Sequence, residues 1–481
     1  MKDKIVTDYD QKLSELGIEH SFIEHPAIKE VGDVMNFLNL PLSESSATLL
    51  MKADDSFVAI IRRGDTELDL EKAKKIINVK KLQIASLDEF TKLTGLQPGA
   101  AHYLTGFKTF IDKKVFENEY VYGGSGSLLI TTKYKSEDLI KIPNSQIVEL
   151  SILKAKQRVL SGIRATGRLH LGNYLGAVVG MLELQNDPAY DTLYMVADLH
   201  AVTTPYDKKT LRQNAREVVM DYLASGLDPE KSTIFIQSDI PEHSELAYYL
   251  STVVSIARLQ HLPTYKEKVI QYPEGNTVAL LYYPILMAAD ILIYKAGLVP
   301  VGIDQEPHLE IAREIARKMN SEYGTNFPEP KRFATKGEYV PSLSGEGKMS
   351  KSVEGSFINL TDDLSTIKKR LADAPTDSGK GDKVPKDGGV ANLLKFVELF
   401  QGQKKRKEYE EQYTSNGIKY SELKDELASV IYEELKPIQE KRKYFETHTD
   451  EVDKILEDGA ERARKMASET VAEVKEKMGF K

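Results

Sequence analysis

Cysteine and tryptophan occur nowhere in the 481 residues. Without a thiol there is no disulfide, no thiolate metal site and no cysteine nucleophile; the lack of tryptophan excludes nothing. Histidine is sparse and scattered, nine residues in all. The closest pair, His20 and His25, has no third histidine near it, so no structural zinc or other metal site is expected. No apolar run approaches the ~20 residues of a membrane-spanning helix. The first residues, Met1 to Val6, hold no apolar core of the signal-peptide kind. A cytoplasmic chain with no membrane partner is expected. Acidic residues outnumber basic ones by 73 to 65, a net charge of −8. That sign argues against indiscriminate binding to nucleic acid, so any RNA contact has to come from local basic patches. What remains is ordinary for a globular chain: 41% hydrophobic and 29% charged residues, in a length that suits about three domains.

One stretch concentrates chemistry, Ser161 to Ala177. Val159 and Leu160 can end a strand, and Gly162 and Gly167 belong to a glycine-rich turn after it. From Leu171 onward, Leu171, Leu175, Val178, Val179 and Leu182 recur at helical spacing. His170 and Asn173 then stand at a helix start, where backbone N–H groups without intrahelical partners favour a phosphate. Alone, such a segment is as often only a turn. A second stretch reads Lys348-Met349-Ser350-Lys351-Ser352. Two lysines three apart, amid glycines and serines, suit a loop closing over phosphates; alone it is a solvated charged loop.

Taken together, His170-Leu171-Gly172-Asn173 and Lys348–Ser352 resemble, in order and separation, the HIGH and KMSKS signatures of class I aminoacyl-tRNA synthetases. From about 158 to 481 the chain resembles the tryptophanyl branch of that class. The matching stretches are Ala197–Thr203, Tyr283–Tyr294, Val299–His308 and Leu435–Ile438; Ala165 departs from a family that commonly has proline there. The resemblance implies ATP-dependent ligation of tryptophan to tRNA through a tryptophanyl-adenylate. It implies that Gly162, His170, Gly172 and Asn173 hold ATP, the last two through helix amides. Lys348, Met349, Ser350 and Lys351 close on the phosphates, and Gly302 and Asp304 lie near the ribose. His200, Tyr283, Met287, Val299, Val301 and Gln305 line the amino-acid site, with Gln305 at its polar end. Asp290 meets the indole N–H, a donor-only group suited to an acceptor-only carboxylate. Outside this motif Asp290 would read as a structural acid and His200 as a core histidine. The family further implies Mg2+ on the nucleotide and a homodimer. Two other readings stay open. A tyrosyl enzyme shares fold and signatures, though Met287–Asp290 and Gly302–Gln305 favour tryptophan. A silent tRNA-binding paralogue would have no need of His170, Lys348 and Lys351 together.

The expected fold is α/β, a Rossmann-type doubly wound parallel sheet at 158–358. A helical anticodon-binding domain follows at 359–481, and an α+β domain precedes it at 1–150. Strand-like runs are Phe57–Ile61, Val115–Tyr122, Leu128–Thr132, Thr192–Val196, Thr233–Ile236 and Leu298–Ile303. Helical runs are Asp69–Ile77, Leu87–Leu93, Lys208–Ala224, Ser244–Val254, Glu306–Met319, Tyr420–Arg442 and Asp450–Lys477, with Pro284 starting or kinking another helix. The basic cluster Lys404–Lys407 reads first as a solvated helix face and second as a tRNA contact. Residues 1–150 resemble the deacylase family related to the editing insertion of prolyl-tRNA synthetases, on Thr48–Asp54, Glu67–Asp69, Thr94–Ala100 and Tyr122–Ser127. That resemblance implies hydrolysis of a misacylated tRNA, with Lys52 at the reaction centre beside Gly123–Gly126. After Gly99 the chain departs from the family's proline-containing loop.

Overall fold

The computed structural model describes residues 4–28, 30–38, 40–334, 339–351 and 353–480. The chain divides into two compact units, Met1–Lys156 and Gln157–Lys481. Among the described residues no helix is long and apolar enough to cross a membrane.

The first unit comprises α1 (Lys4–Glu15), β1 (His20–Glu24), α2 (Val31–Leu38), β2 (Ser46–Ala53), β3 (Ser56–Arg63), β4 (Thr66–Leu68), α3 (Leu70–Ile77), β5 (Leu82–Ile84), α4 (Leu87–Thr94), β6 (Lys108–Asp112), β7 (Tyr120–Gly124), β8 (Ile130–Lys135), β9 (Ser145–Val148) and β10 (Ser151–Leu153). A mixed sheet runs β5-β2-β3-β6-β9, a smaller antiparallel one runs β1-β8-β7, and β10 pairs with β4. Local signals set several ends. Asp69 caps α3 by accepting from Lys72 N, and Ser86 and Glu89 form a reciprocal capping box on α4. Gly95, at φ 71°, ends α4 one residue after Thr94. The expected strand Val115–Tyr122 is wrong in its first half. Asp112, fully buried, accepts from Lys114 N at 2.9 Å and turns Lys113–Glu117 into a 3₁₀ helix, so the strand starts at Tyr120.

The second unit comprises β11 (Gln157–Arg164), α5 (Leu171–Asn173), α6 (Val179–Gln185), β12 (Tyr190–Ala197), α7 (Asp198–Ala201), α8 (Leu211–Ala224), β13 (Ser232–Ile236), α9 (Glu242–Ser251), α10 (Ile256–Gln260), α11 (Pro263–Gln271), α12 (Val278–Ile293), β14 (Leu298–Pro300), α13 (Glu306–Tyr323), β15 (Lys331–Phe333), α14 (Leu364–Ala372), α15 (Gly388–Thr414), α16 (Tyr420–Thr447) and α17 (Thr449–Lys477). Its sheet is wholly parallel in the order β13-β12-β11-β14-β15. β12 and β13 are almost continuously buried, as strands covered on both faces must be. The helices after 359 pack into the same core: Leu427, Ile431 and Leu435 of α16 join the cluster holding Val196 and Ile234.

Several boundaries depart from the sequence reading. β11 does not end at Val159–Leu160 but runs to Arg164, so Gly162 is a strand residue paired with Met195. The strand expected over Leu298–Ile303 stops at Pro300, because Ile303–Gln305 winds into a 3₁₀ turn leading to α13. Pro284 lies inside α12 and does not start it: the helix begins six residues earlier, at Val278, with Thr277 Oγ1 accepting from Leu280 N. The helix from Leu171 also passes through a π-helical stretch, Tyr174–Val178, before α6.

Candidate active site

β11 pairs with β12 on one side and β14 on the other, so the strand order reverses there. Ligands of open parallel sheets bind at such a point, beyond the strands' carboxyl ends. A cavity of about 680 Å³ opens in that place. Its wall brings together every ligase-site residue expected from the sequence: Gly162, His170, Gly172, Asn173, His200, Tyr283, Met287, Asp290, Val299, Val301, Gly302, Asp304, Gln305, Lys348, Met349, Ser350 and Lys351. Ser352 lies outside the described residues.

The signature helix start differs in detail from the expectation. His170 is the N-cap: its Nδ1 accepts from Asn173 N at 3.3 Å, while Asn173 Oδ1 accepts from His170 N at 3.2 Å. Leu171 N donates to Ile358 O at 2.8 Å, and Gly172 N donates to Met349 Sδ at 3.2 Å. The amides expected to hold a phosphate are therefore spent inside the protein. A neutral imidazole that accepts at Nδ1 carries its proton on Nε2, so His170 offers a donor there. Gly172 is required for the close approach, since a Cβ would lie 2.9 Å from His170 Cε1 and 3.2 Å from Met349 Cβ.

Charge on the wall comes from side chains. Lys348 Nζ stands 3.7 Å from Asp304 Oδ1. Lys351 Nζ donates to the carbonyls of Thr166, at 3.2 Å, and Arg168; burial lowers its pKa, against the pull of Asp221 and Glu217. Arg164 and Lys268 add two cations that the sequence reading passed over. Arg164 stands within the stretch Ser161–Ala177, but its place at the end of β11 follows only from the fold; Lys268 sits in α11 with no motif around it.

A second part of the wall centres on Asp290, 2% exposed. His200 Nε2 bonds Oδ2 at 2.8 Å, and Gln237 Nε2 and His243 Nδ1 bond Oδ1 at 2.8 and 2.6 Å. Burial alone would raise this carboxyl; the two imidazoles hold it well below the usual range. Three donors occupy three of about four lone-pair sites, leaving room for one more. Gln237 and His243 gave no signal in the sequence, because they come from other elements with no motif. Tyr283 OH bonds His308 Nε2 at 2.7 Å and meets the His200 ring edge-on.

Burial, reinforced by Lys351 and Lys348, pushes His170 down to about 4. The folded state resists protonating it, so its contribution to stability is full above the ordinary pKa of about 6.5 and is lost as pH falls toward 4. His170→Gln removes that penalty. From pH 7 to pH 4.5 the unaltered chain is expected to lose about 2–3 kcal/mol more than the variant, read as denaturation midpoints at both values. Parallel losses would show His170 to be exposed to solvent.

The first unit holds its own cavity, of about 430 Å³, bounded by β2, α2, α4 and the end of β7. Gly123 and Gly124 are on its wall, and a Cβ on Gly124 would lie 2.1 Å from Ala101 O. Lys52, expected beside these glycines, does not line the cavity. Its ammonium is tied to Glu89 Oε1 at 2.8 Å, because the α4 capping box aims that carboxylate at β2.

The sequence also matches known families. The family model described as class I tRNA synthetases (W and Y) matches residues 153–436, and one described as an aminoacyl-tRNA editing domain matches 25–142. The tryptophan–tRNA ligase of Porphyromonas gingivalis is 41% identical over 333 residues, 68% of this chain and 100% of that one. That of Helicobacter pylori is 42% identical over 330 residues, 68% of this chain and 99% of that one. The solved tryptophanyl-tRNA synthetase of Campylobacter jejuni, complexed with ADP and tryptophan, is 35% identical with a TM-score of 0.58, covering 67% of this chain and 99% of that one. That of Mycoplasma pneumoniae is 32% identical with a TM-score of 0.60, covering 68% of this chain and 98% of that one. Matched along the whole length of relatives about 40% identical to it, the chain belongs to the tryptophan–tRNA ligases of class I, with an aminoacyl-tRNA editing domain at its N-terminal end.

Proposed function

We propose that the cavity at the ends of β11, β12 and β14 is where this ligase joins tryptophan to ATP and then to tRNA. The observation that carries the assignment is the convergence on one wall of a buried ionised acceptor, Asp290, with four cations, Arg164, Lys268, Lys348 and Lys351. Asp290 accepts the indole N–H in its remaining lone-pair direction, and Val299, Val301 and Met287 face the ring. Gln305 meets the amino acid's polar end. A carboxylate oxygen of tryptophan bonds to the α-phosphorus of ATP, the bond to the bridging oxygen breaks, and pyrophosphate leaves. A tRNA ribose hydroxyl then attacks the adenylate carbonyl and AMP leaves. Negative charge grows on phosphate oxygens in the first step, and fixed donors aimed there lower its barrier. His170 Nε2–H, Lys348 and Lys351 supply them, while Asp304 and Gly302 border the ribose.

Mg2+ fits as a companion of the phosphates, whose charge it would neutralise. Among the described residues no group of three or more His, Asp or Glu side chains gathers as a cage, and magnesium ordinarily keeps its waters and binds through phosphates. The helices from 359 onward are assigned to the anticodon end of tRNA, and the enzyme to the cytoplasm. Lys405 and Arg406 are paired with Glu426 and Glu410, at 3.1 and 2.7 Å, which favours a solvated face over an RNA contact. Tyr248, Ile256, Ile270 and Val278 are each at least 65% exposed on helices α9–α12, which supports a homodimer through these helices. The first unit is assigned ester hydrolysis of misacylated tRNA.

ATP–pyrophosphate exchange with tryptophan and tyrosine side by side tests the ligase assignment. Exchange with tryptophan is expected; exchange with tyrosine alone would overturn it, and exchange with neither would favour a silent paralogue. Asp290→Ala should raise KM for tryptophan about tenfold or more, since an unpaired buried donor costs about 1–3 kcal/mol.

A further inference from the structure

We propose that the cavity of the first unit takes aminoacyl-tRNA whose amino acid bears an apolar side chain of three or more carbons, and hydrolyses that ester. The proposal rests on the editing assignment above and names its substrate class. Apolar side chains make up much of the wall: Val34 and Met35 from α2, Leu50 from β2, Ile84 from β5 (67% exposed), Phe90 from α4 and Ile130 from β8. Met35, Leu50 and Ile130 are 1%, 3% and 8% exposed. Among the described residues no lysine, arginine or aspartate contributes to it. His25 does, but both its ring nitrogens are engaged: Nδ1 donates to Pro26 O at 2.7 Å, and Nε2 accepts from Thr131 Oγ1 at 3.0 Å. Among the described residues a charged substrate side chain would find only Glu30 as an ionised partner there, and it would lose its hydration.

Size points the same way. Cavities of ~300–1,000 Å³ hold whole small ligands, and this one is about 430 Å³. A methyl or hydroxymethyl group leaves most of the apolar wall uncovered, whereas each further buried methylene is worth roughly fourfold in binding. Gly123 and Gly124 bring bare backbone to the same cavity. Side chains there are excluded, because a Cβ on Gly123 would lie 2.8 Å from the Tyr103 hydroxyl. The ester end lies along this backbone and the apolar side chain reaches toward α2 and α4. A water oxygen bonds to the ester carbonyl carbon, the bond from that carbon to the terminal ribose oxygen breaks, and the ribose oxygen takes the water's proton. Free amino acid and tRNA leave. The ligase cavity demands an indole N–H donor, so these esters come from other ligases and reach the unit in trans.

The full chain, without ATP, is offered leucyl-, isoleucyl-, valyl-, alanyl-, seryl- and aspartyl-tRNA at equal subsaturating concentration, and ester loss is followed against the spontaneous rate. The three apolar esters are expected to be lost about tenfold or more faster than the alanyl and seryl ones, with aspartyl-tRNA at its spontaneous rate. Val34→Trp, which fills the cavity from a half-buried helix position, should abolish that loss with the far-ultraviolet circular dichroism unchanged. Cleavage of alanyl- or seryl-tRNA with the apolar esters intact overturns the substrate class and leaves editing standing. No ester cleaved above its spontaneous rate overturns both. Full activity of Val34→Trp toward leucyl-tRNA overturns the site.

Discussion

Replacing Arg442 with methionine is expected to destabilise the ligase unit by about 3–5 kcal/mol, because it strips one partner from a buried ionic network. Arg442, on α16, is 2% exposed. Its guanidinium bonds Asp221 and Glu217 of α8, with a further bond to Glu217 O at 2.9 Å, and reaches Glu446 at 3.2 Å. Asp221 in turn accepts from Leu169 N at 2.5 Å, one residue before His170. Burial pushes the Asp221 carboxyl up to about 6 even with Arg442 beside it. A carboxyl whose folded pKa exceeds its unfolded value contributes stability that is full below about 3.9 and lost as pH rises through the folded pKa. Without Arg442 that folded pKa climbs further, so the deficit of the variant should grow from pH 5 to pH 8. Denaturation midpoints at both values measure it. An equal deficit at the two, or one below about 1 kcal/mol, would show that the network does not hold Asp221 ionised.

Lys351→Ala should lower kcat for adenylate formation about a hundredfold or more, the ordinary cost of removing one fixed donor from a developing anion. KM for tryptophan should stay within about threefold, since Lys351 faces the signature loop rather than Asp290. The carbonyls of Thr166 and Arg168 already hold its ammonium against that loop, so the charge is in place before phosphate arrives. Single-turnover pyrophosphate release separates this step from later ones. An unchanged kcat with a raised KM would make Lys351 a ground-state contact instead.

Much of the ligase body was legible from residue pattern alone. Buried strands such as Thr192–Val196 and Thr233–Ile236 are short apolar runs, of strand rather than helix length and rich in β-branched and aromatic residues. In the first unit, Asp69, Ser86 and Gly95 mark helix ends through bonds to their own neighbours. The signatures at His170 and Lys348 carry their chemistry in contiguous residues, and the match to known ligases follows them. Resemblance put the ligase-site residues on one list, and the fold put them on one wall.

Contacts between residues far apart in the chain belong to the tertiary structure alone. The free amides of a helix start are a local expectation, yet Ile358 and Met349 arrive from nearly two hundred residues away and take two of them. Asp290 reads as an acceptor on a helix, but its ionised state depends on His200 and His243, brought in from α7 and α9. Lys52 matches a motif on β2, and whether it meets Gly123 depends on where α4 places Glu89. Strand and helix are chosen by near neighbours and period, which a sequence displays. Protonation states, spent donors and cavity walls depend on what the folded chain packs against each group, and these followed only from the packing.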